Sequence, residues 1–284
     1  MITSLPLVDP AGAAAPALRP AAPEPQSAVA ASGLRRIGRL DVAAITGDEA
    51  LAIIELSIEA RSELHVAFVN AHCVNVAAGD ERYAATMRNF LSLPDGIGVD
   101  LGSRMLFGEP FPENLNGTDF VPFVLERAAR DLRVALIGGE PGIVETAAER
   151  LAERFPRHRF LPIQHGYFSA GEATEAVLAL LRLVQADIVL VGLGVPRQEN
   201  FIAETITARE VPVAIAVGAF LDFSAGKVPR APPAVRRMRS EWLWRLALEP
   251  RRLAQRYVAG NPAFLLRMAR QWLGRRPSGD DASS

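Results

Sequence analysis

The sequence predicts an α/β domain built on a mainly parallel sheet, and three observations carry that prediction. Short apolar runs rich in β-branched residues recur along the chain: HVAFVN (65–70), RVALI (133–137), DIVLV (187–191) and PVAIAV (212–217). Strands buried on both faces read as such continuous runs. Helical periodicity fills the intervals between them, the alternation that builds parallel sheets. The last three runs lead into glycines, Gly138-Gly139, Gly192-Leu193-Gly194 and Gly218. From Pro229 the strand pattern stops. The expected fold is therefore Rossmann-like, with a helical C-terminal appendage and a disordered N-terminal tail.

The elements follow in order. Residues 1–33 hold ten alanines and six prolines with only Asp9, Arg19 and Glu24 charged, the composition of a tail that cannot bury a core. It lacks the basic start and unbroken apolar stretch of a secretory signal. Residues 34–42 read as a strand or β-ribbon. Asp48 is the expected cap of a helix running to about Ser62. Strand 65–70 is followed by helical pattern through Leu91 and a turn at Pro94-Asp95-Gly96. Gly117-Thr118-Asp119 opens a helix to about Asp131. After strand 133–137, Pro141 suits the first turn of a helix to about Phe155. A short strand is expected at 159–162, a helix at 171–183, strand 187–191, a helix from Pro196, and strand 212–217. Residues 240–248, 250–257 and 262–273 read as appendage helices. The implied organisation is a tail (1–33), an α/β domain (34–228), a basic helical appendage (229–275) and a short disordered end (276–284).

Charge is distributed unevenly. The chain of 284 residues has a formal net charge of -1, yet residues 227–276 hold 13 basic and two acidic side chains, so that +11 there is balanced by -12 elsewhere. Such a basic end suits a polyanionic partner: nucleic acid, anionic lipid or phosphate. Lys227 is the sole lysine among 31 basic residues. The single cysteine excludes an intramolecular disulfide and fits a reducing compartment. No apolar run reaches the roughly 18–20 residues of a spanning helix.

Ligands of open parallel sheets bind beyond the carboxyl ends of the strands. Those ends carry Asn70 to His72, Gly138 to Gly142, Gly192 to Gln198 and Gly218 to Asp222. Glycines let backbone N–H groups approach a ligand, and the helix starts that follow favour an anion. Together they suggest a nucleotide, although any one such loop alone reads first as a tight turn. The run GGEPG is not a GxGxxG fingerprint, which ranks a dinucleotide-dependent enzyme low, and GxxxxGK[ST] is absent. The four histidines, His65, His72, His158 and His165, do not fall at metal-ligand spacings, and no Asp-x-Asp pair is present, so no metal and no cofactor is expected. His72 reads first as an ordinary polar residue at a strand end. Asp95 reads first as a turn residue in its local context, and it is also a suitable general base if the turn borders a cleft. Asp119 reads as a helix-start residue. Gln198, in a first helical turn after a glycine loop, can donate to a ligand oxygen or simply be solvated.

Seven segments taken together resemble one family. They are LPDGIGVD (93–100), NGTDF (116–120), RVALIGGEPG (133–142), HGYF (165–168), DIVLVGLGVPRQE (187–199), VGAFLDFSAGKVPRAP (217–232) and EWLWRLALEPRRLAQRY (241–257), in order across residues 34–273. This text resembles the WecG/TagA/CpsF glycosyltransferases. The resemblance implies inverting, metal-independent transfer of a sugar, N-acetylmannosamine or a related hexose, from a UDP-sugar to a polyprenyl-diphosphate-linked acceptor in cell-surface polysaccharide synthesis. By resemblance Asp95 is the base and Gln198 the motif glutamine. The family's early T-x-N pattern falls on Asn70 and His72, a departure that bears on the donor sugar. Substrate-binding roles are expected for Asn70, His72, Gly138, Gly139, Gly192, Gly194, Gln198 and Asp222. Arg245, Arg252 and Arg256 are expected to receive the leaving diphosphate.

Tryptophans and leucines interleaved with arginines in the appendage suit a bilayer interface, or packing against the body. The enzyme is expected to be cytoplasmic, peripheral on the inner membrane face. A homo-oligomer is left open, and no nucleic-acid partner is expected because no groove-reading motif is found. The competing readings are a non-catalytic anionic-lipid or nucleic-acid-binding module and the dinucleotide-dependent enzyme.

Overall fold

The computed structural model describes residues 33–168, 171–229, 244, 246 and 258–275. Residues 1–32 of the expected tail (1–33), most of the appendage and the end at 276–284 lie outside the described residues. A hairpin, β1 (Leu34–Ile37) and β2 (Leu40–Ala43), precedes α1 (Gly47–Ala60), β3 (Leu64–Val69), α2 (Ala71–Gly79) and α3 (Glu81–Thr86). Next come a 3-10 turn (Met87–Asn89), β4 (Phe90–Pro94), α4 (Ile97–Phe107), α5 (Gly117–Arg127), β5 (Arg133–Gly138) and α6 (Ile143–Arg154). Then follow β6 (Arg159–Gln164), α7 (Glu172–Val184), β7 (Ile188–Gly192), α8 (Arg197–Thr205), β8 (Val213–Ala216), α9 (Phe220–Ser224) and α10 (Gly260–Arg275).

The sheet has six strands in the order β4-β3-β8-β7-β5-β6, and every pairing in it is parallel. Strand periodicity sends alternate side chains to opposite faces. Leu64, Val66 and Phe68 of β3, Leu136 of β5, Leu190 of β7 and Ile215 of β8 face a core closed by α1, α5, α6 and α9. Ala67, Val69, Ile137, Val191 and Ala216 face a second core closed by α2, α4, α7 and α8, and by Phe264 and Met268 of α10. The α/β class and the parallel sheet expected from the apolar runs are what the structure shows.

The structure corrects three local expectations. The α1 cap is Thr46, not Asp48: its side chain accepts from Glu49 N at 3.3 Å, while Glu49 Oε2 accepts from Thr46 N at 2.7 Å. This reciprocal pair satisfies two helix-end donors, which one aspartate inside the first turn cannot do. Asp48 instead pairs with Arg127 of α5 at 2.7 Å. The helical pattern does not run through Leu91. Helix ends at Thr86, and residues 90–94 form the edge strand β4, every one of them buried. A five-residue run with no exposed face carries no period-2 alternation, so its register against β3 decides it. The turn at Asp95 is followed by a helix, α4, which the turn signal alone did not announce.

The one appendage helix described in full, α10, is docked on the body. Phe264 and Met268 are fully buried, seated where Gly98 and Gly102 leave room on α4; a Cβ on Gly102 would lie 3.2 Å from the Phe264 ring and 3.1 Å from Met268 Sδ. The outer side of α10 leaves Leu265, Leu266, Trp272 and Leu273 exposed.

Candidate active site

The carboxyl ends of β4, β3, β8 and β7 form one rim. The chain leaves β3 for α2 on one face of the sheet and β8 for α9 on the other, and this divergence opens a crevice between their ends.

On one side of the crevice lies Asp95, partly buried, in the turn between β4 and α4. Its backbone N donates to Val69 O at 2.9 Å, and the Pro94 carbonyl before it accepts from Leu115 N at 2.8 Å. The next backbone N, of Gly96, donates to Asn114 Oδ1 at 2.5 Å. The carboxylate itself is held from β3: Asn70 Nδ2 donates to Asp95 Oδ2 at 3.0 Å. Asn70 can do this because its other end is fixed. As N-cap of α2 its Oδ1 accepts from His72 N at 3.1 Å and Cys73 N at 3.3 Å, which sets the amide orientation and satisfies two orphan donors. His72, half-buried in the first turn of α2, lies beside this pair.

Across the crevice, β7 and β8 present the second half of the rim. The glycines divide into two kinds. A Cβ on Gly138 would stand 2.4 Å from Gly192 O, one on Gly192 would stand 2.8 Å from Gly218 O, and one on Gly139 would meet Ile143 at 2.5 Å. Gly138 and Gly192 are required by the close approach of neighbouring backbones, and Gly139 by the Ile143 side chain. Gly194 (φ 78°) and Gly218 (φ 55°) instead have nothing within 4 Å of a built Cβ, so their backbones border open space in a conformation glycine adopts freely.

Gln198 joins these two loops. Its Oε1 accepts from Gly194 N at 3.2 Å and from Gly218 N at 3.1 Å, and its Nε2 donates to Glu199 Oε1 at 2.8 Å. Gln198 is 3% exposed, so its amide reads as a staple between loops; the sequence considered ligand donation or solvation. Glu199 is buried to 1% exposure, and among the described residues its Oε2 has no hydrogen-bond partner. Burial pushes the Glu199 carboxyl up to about 7, against the opposing pull of the Gln198 amide and a backbone N–H. Tyr83, fully buried on α3, has its phenol pushed well above the ordinary value by burial and by Cys73 and Glu199. Sequence reading passed over Glu199; the signal was an acid in the same first helical turn as the motif glutamine.

The third glycine loop, after β5, is covered by the segment after β6: Gly166 N donates to Gly139 O at 2.7 Å. Lys227, also passed over, ties this loop to the β8 side, with Nζ 2.7 Å from Glu140 Oε1 and 3.8 Å from Asp222 Oδ1. The hydrogen bond that Lys227 donates to Glu140 and the nearby Asp222 charge raise the lysine above its usual range. Asp222 is thus on the rim. Arg245, Arg252 and Arg256 lie outside the described residues. Among the described residues no cluster of three or more His, Cys, Asp or Glu side chains is placed to hold a metal ion, and no helix is long and apolar enough to cross a membrane.

The rim therefore brings together Asn70, Asp95, Gln198, Asp222 and the glycine loops, with a fixed carboxylate on one side of the crevice and the Gly194 and Gly218 backbones bordering open space on the other. Comparison with known proteins adds the chemistry. The chain is 27% identical over 214 residues to the N-acetylglucosaminyldiphosphoundecaprenol N-acetyl-beta-D-mannosaminyltransferase of Staphylococcus aureus strain NCTC 8325 / PS 47, covering 75% of this chain and 82% of the relative. The enzymes of the same name from strains COL and MRSA252 match at the same identity and coverage. Residues 35–278 match the profile of the glycosyl transferase WecG/TagA/CpsF family, a span that takes in every strand and helix of the rim, and the chain belongs to that family of glycosyltransferases.

Proposed function

We propose that this glycosyltransferase moves an N-acetylmannosamine-type sugar, or a related hexose, from a UDP-sugar to a polyprenyl-diphosphate-linked acceptor. The transfer inverts the anomeric carbon, needs no metal, and serves cell-surface polysaccharide synthesis. The single observation that carries the reading is the Asn70-held carboxylate of Asp95 at the crevice, opposite the loops of Gly194 and Gly218. The names of the relatives support the sugar and the lipid-linked acceptor.

In this reading Asp95 takes the proton of the acceptor hydroxyl as its oxygen attacks the anomeric carbon. The carbon–oxygen bond to the diphosphate breaks on the opposite side, and UDP leaves with the electron pair. A positioned general base is worth about 10²–10⁴-fold. The β4 and β7 ends are three strand spacings apart, about 14 Å, so an extended donor with its diphosphate at the glycine loops can direct its sugar toward Asp95. Arg245, Arg252 and Arg256 are the candidates for charge on the leaving diphosphate. His72, where the family pattern has asparagine, is the candidate for a changed contact to the donor sugar.

The acceptor lies in a membrane, and α10 supports a peripheral approach to it. Its exposed Leu265, Leu266, Trp272 and Leu273 share the helix with Arg267 and Arg270, the composition of an interfacial helix. The proposed location is the inner face of the cytoplasmic membrane, where the lipid-linked acceptor would be met. Incubation with a panel of UDP-sugars and an N-acetylglucosaminyl-diphospholipid acceptor tests the function. Transfer from UDP-N-acetylmannosamine that survives EDTA is expected. Absence of transfer from every UDP-sugar, with no thermal stabilisation by UDP, would overturn it. Serine at Leu265, Leu266, Trp272 and Leu273 should reduce sedimentation with phosphatidylglycerol vesicles while turnover on a water-soluble acceptor persists; unchanged sedimentation removes α10 from the membrane role.

A further inference from the structure

The glycines of the rim are fixed by different means. Gly138 and Gly192 are locked by backbone contacts a side chain would violate, whereas Gly194 and Gly218 border open space. What ties the last two together is one group, the Gln198 amide, which accepts from both of their N–H groups at 3.2 and 3.1 Å. A primary amide can sit either way round. Turned by 180°, it would set its own N–H₂ against those two donors. The orientation that bridges the loops needs an acceptor on the other side, and Glu199 Oε1 supplies it at 2.8 Å. Without that acceptor the Gln198 N–H₂ would be buried unpaired, which opposes the bridging orientation.

We propose that Glu199 is a positioning residue of the donor site: its carboxyl orients the Gln198 amide, which holds the Gly194 and Gly218 loops at the spacing that receives the donor diphosphate. This rests on the donor reading above, and it makes Gln198 a staple through which Glu199 acts at a distance from the ligand. The requirement is for an acceptor oxygen, not for a negative charge. A neutral amide at this position meets it, offering a carbonyl to Gln198 and placing its N–H₂ where Oε2 now lacks a partner. Helix α8 also holds its own first turn here, with Gln198 N donating to Gly194 O at 2.9 Å, so the staple and the helix start move together.

The test compares Glu199→Gln with Glu199→Leu in the full chain, measuring the KM for UDP-N-acetylmannosamine, the KM for the lipid-linked acceptor, and kcat. Leucine keeps approximate volume and removes the acceptor. Its donor KM should rise about tenfold, equivalent to 1.4 kcal/mol of donor binding, with the acceptor KM unchanged; glutamine should keep the wild-type donor KM within about twofold. If the leucine variant does not fold, Glu199→Asp is read in its place, since it keeps the acid but withdraws it from Gln198. A loss confined to thermal stability, with wild-type donor KM, overturns the proposal. So does an equal rise in donor KM for leucine and glutamine, which would assign the effect to charge. Wild-type protein that neither binds UDP nor turns over a UDP-sugar instead overturns the donor reading, and this inference with it.

Discussion

Two places on the same rim use the same device with opposite surroundings. At the end of β3, the Asn70 oxygen accepts from two backbone N–H groups and its nitrogen donates to a carboxyl, Asp95. In the first turn of α8, the Gln198 oxygen accepts from two backbone N–H groups and its nitrogen donates to a carboxyl, Glu199. The difference is access to the crevice. Asp95 is partly buried at the opening, and Glu199 is sealed at 1% exposure. The comparison teaches that an amide–carboxyl pair is a way of aiming something: in one pair the carboxylate itself, in the other the loops behind the amide. The proposed mechanism assigns proton transfer to the pair at the crevice opening.

The largest expected effect breaks the symmetry outright. Asp95→Asn should cost about 10²–10⁴-fold in kcat while UDP binding, followed by calorimetry, survives. Substantial turnover in that variant would remove Asp95 from the role of base. Glu199→Gln, in contrast, should retain kcat, so the two isosteric changes separate the pairs.

Stability against pH sharpens the comparison next. The folded carboxyl of Glu199 sits at about 7, above its unfolded value of about 4.3, because burial disfavours the charge. The folded state therefore binds the proton more tightly. The associated stability is present below about pH 4.3, declines as pH rises through the window up to about 7, and is absent above it. Glu199→Gln removes this term. Relative to that variant, the wild type should lose about 3–4 kcal/mol between pH 4 and pH 8 in urea unfolding; parallel pH profiles would show that the site accommodates the charge.

A smaller effect is expected at Asn70. Alanine there removes the cap of α2, at about 1 kcal/mol, and frees the Asp95 carboxylate. The expected signature is a modest drop in melting temperature with a larger drop in kcat, and a rate that follows stability alone would reduce Asn70 to a cap. Gly194→Ala acts on the backbone alone: with φ at 78° and open space around the Cβ, it should cost about 1–2 kcal/mol of backbone strain. Gly138→Ala, whose Cβ would stand 2.4 Å from Gly192 O, should destabilise the fold far more. The melting temperatures of the two alanine variants check this order.

The parallel sheet was legible because β3, β5, β7 and β8 are buried on both faces and so appear as unbroken apolar runs. The edge strand β4 was not. It is five residues long, follows two helical turns, and is defined by its pairing with β3, a long-range contact that no local period reports. The cap of α1 was misplaced by two residues because acids at 48 and 49 both resemble cap signals, and only the reciprocal bonds choose Thr46. Asp95 was legible as a turn and, through the resemblance, as a base; that Asn70 holds it depends on β3 and β4 being neighbours. Glu199 was illegible as a separate participant, since its meaning comes from burial and from the Gln198 amide beside it.

The most direct test is a crystal structure with a UDP-sugar bound. The account predicts the diphosphate over the Gly194 and Gly218 loops and the Asp95 carboxylate turned into the same pocket, leaving space for an acceptor hydroxyl about 3 Å from both the carboxylate and the anomeric carbon. A donor seated elsewhere, with the Asp95 carboxylate directed into bulk water, would contradict it.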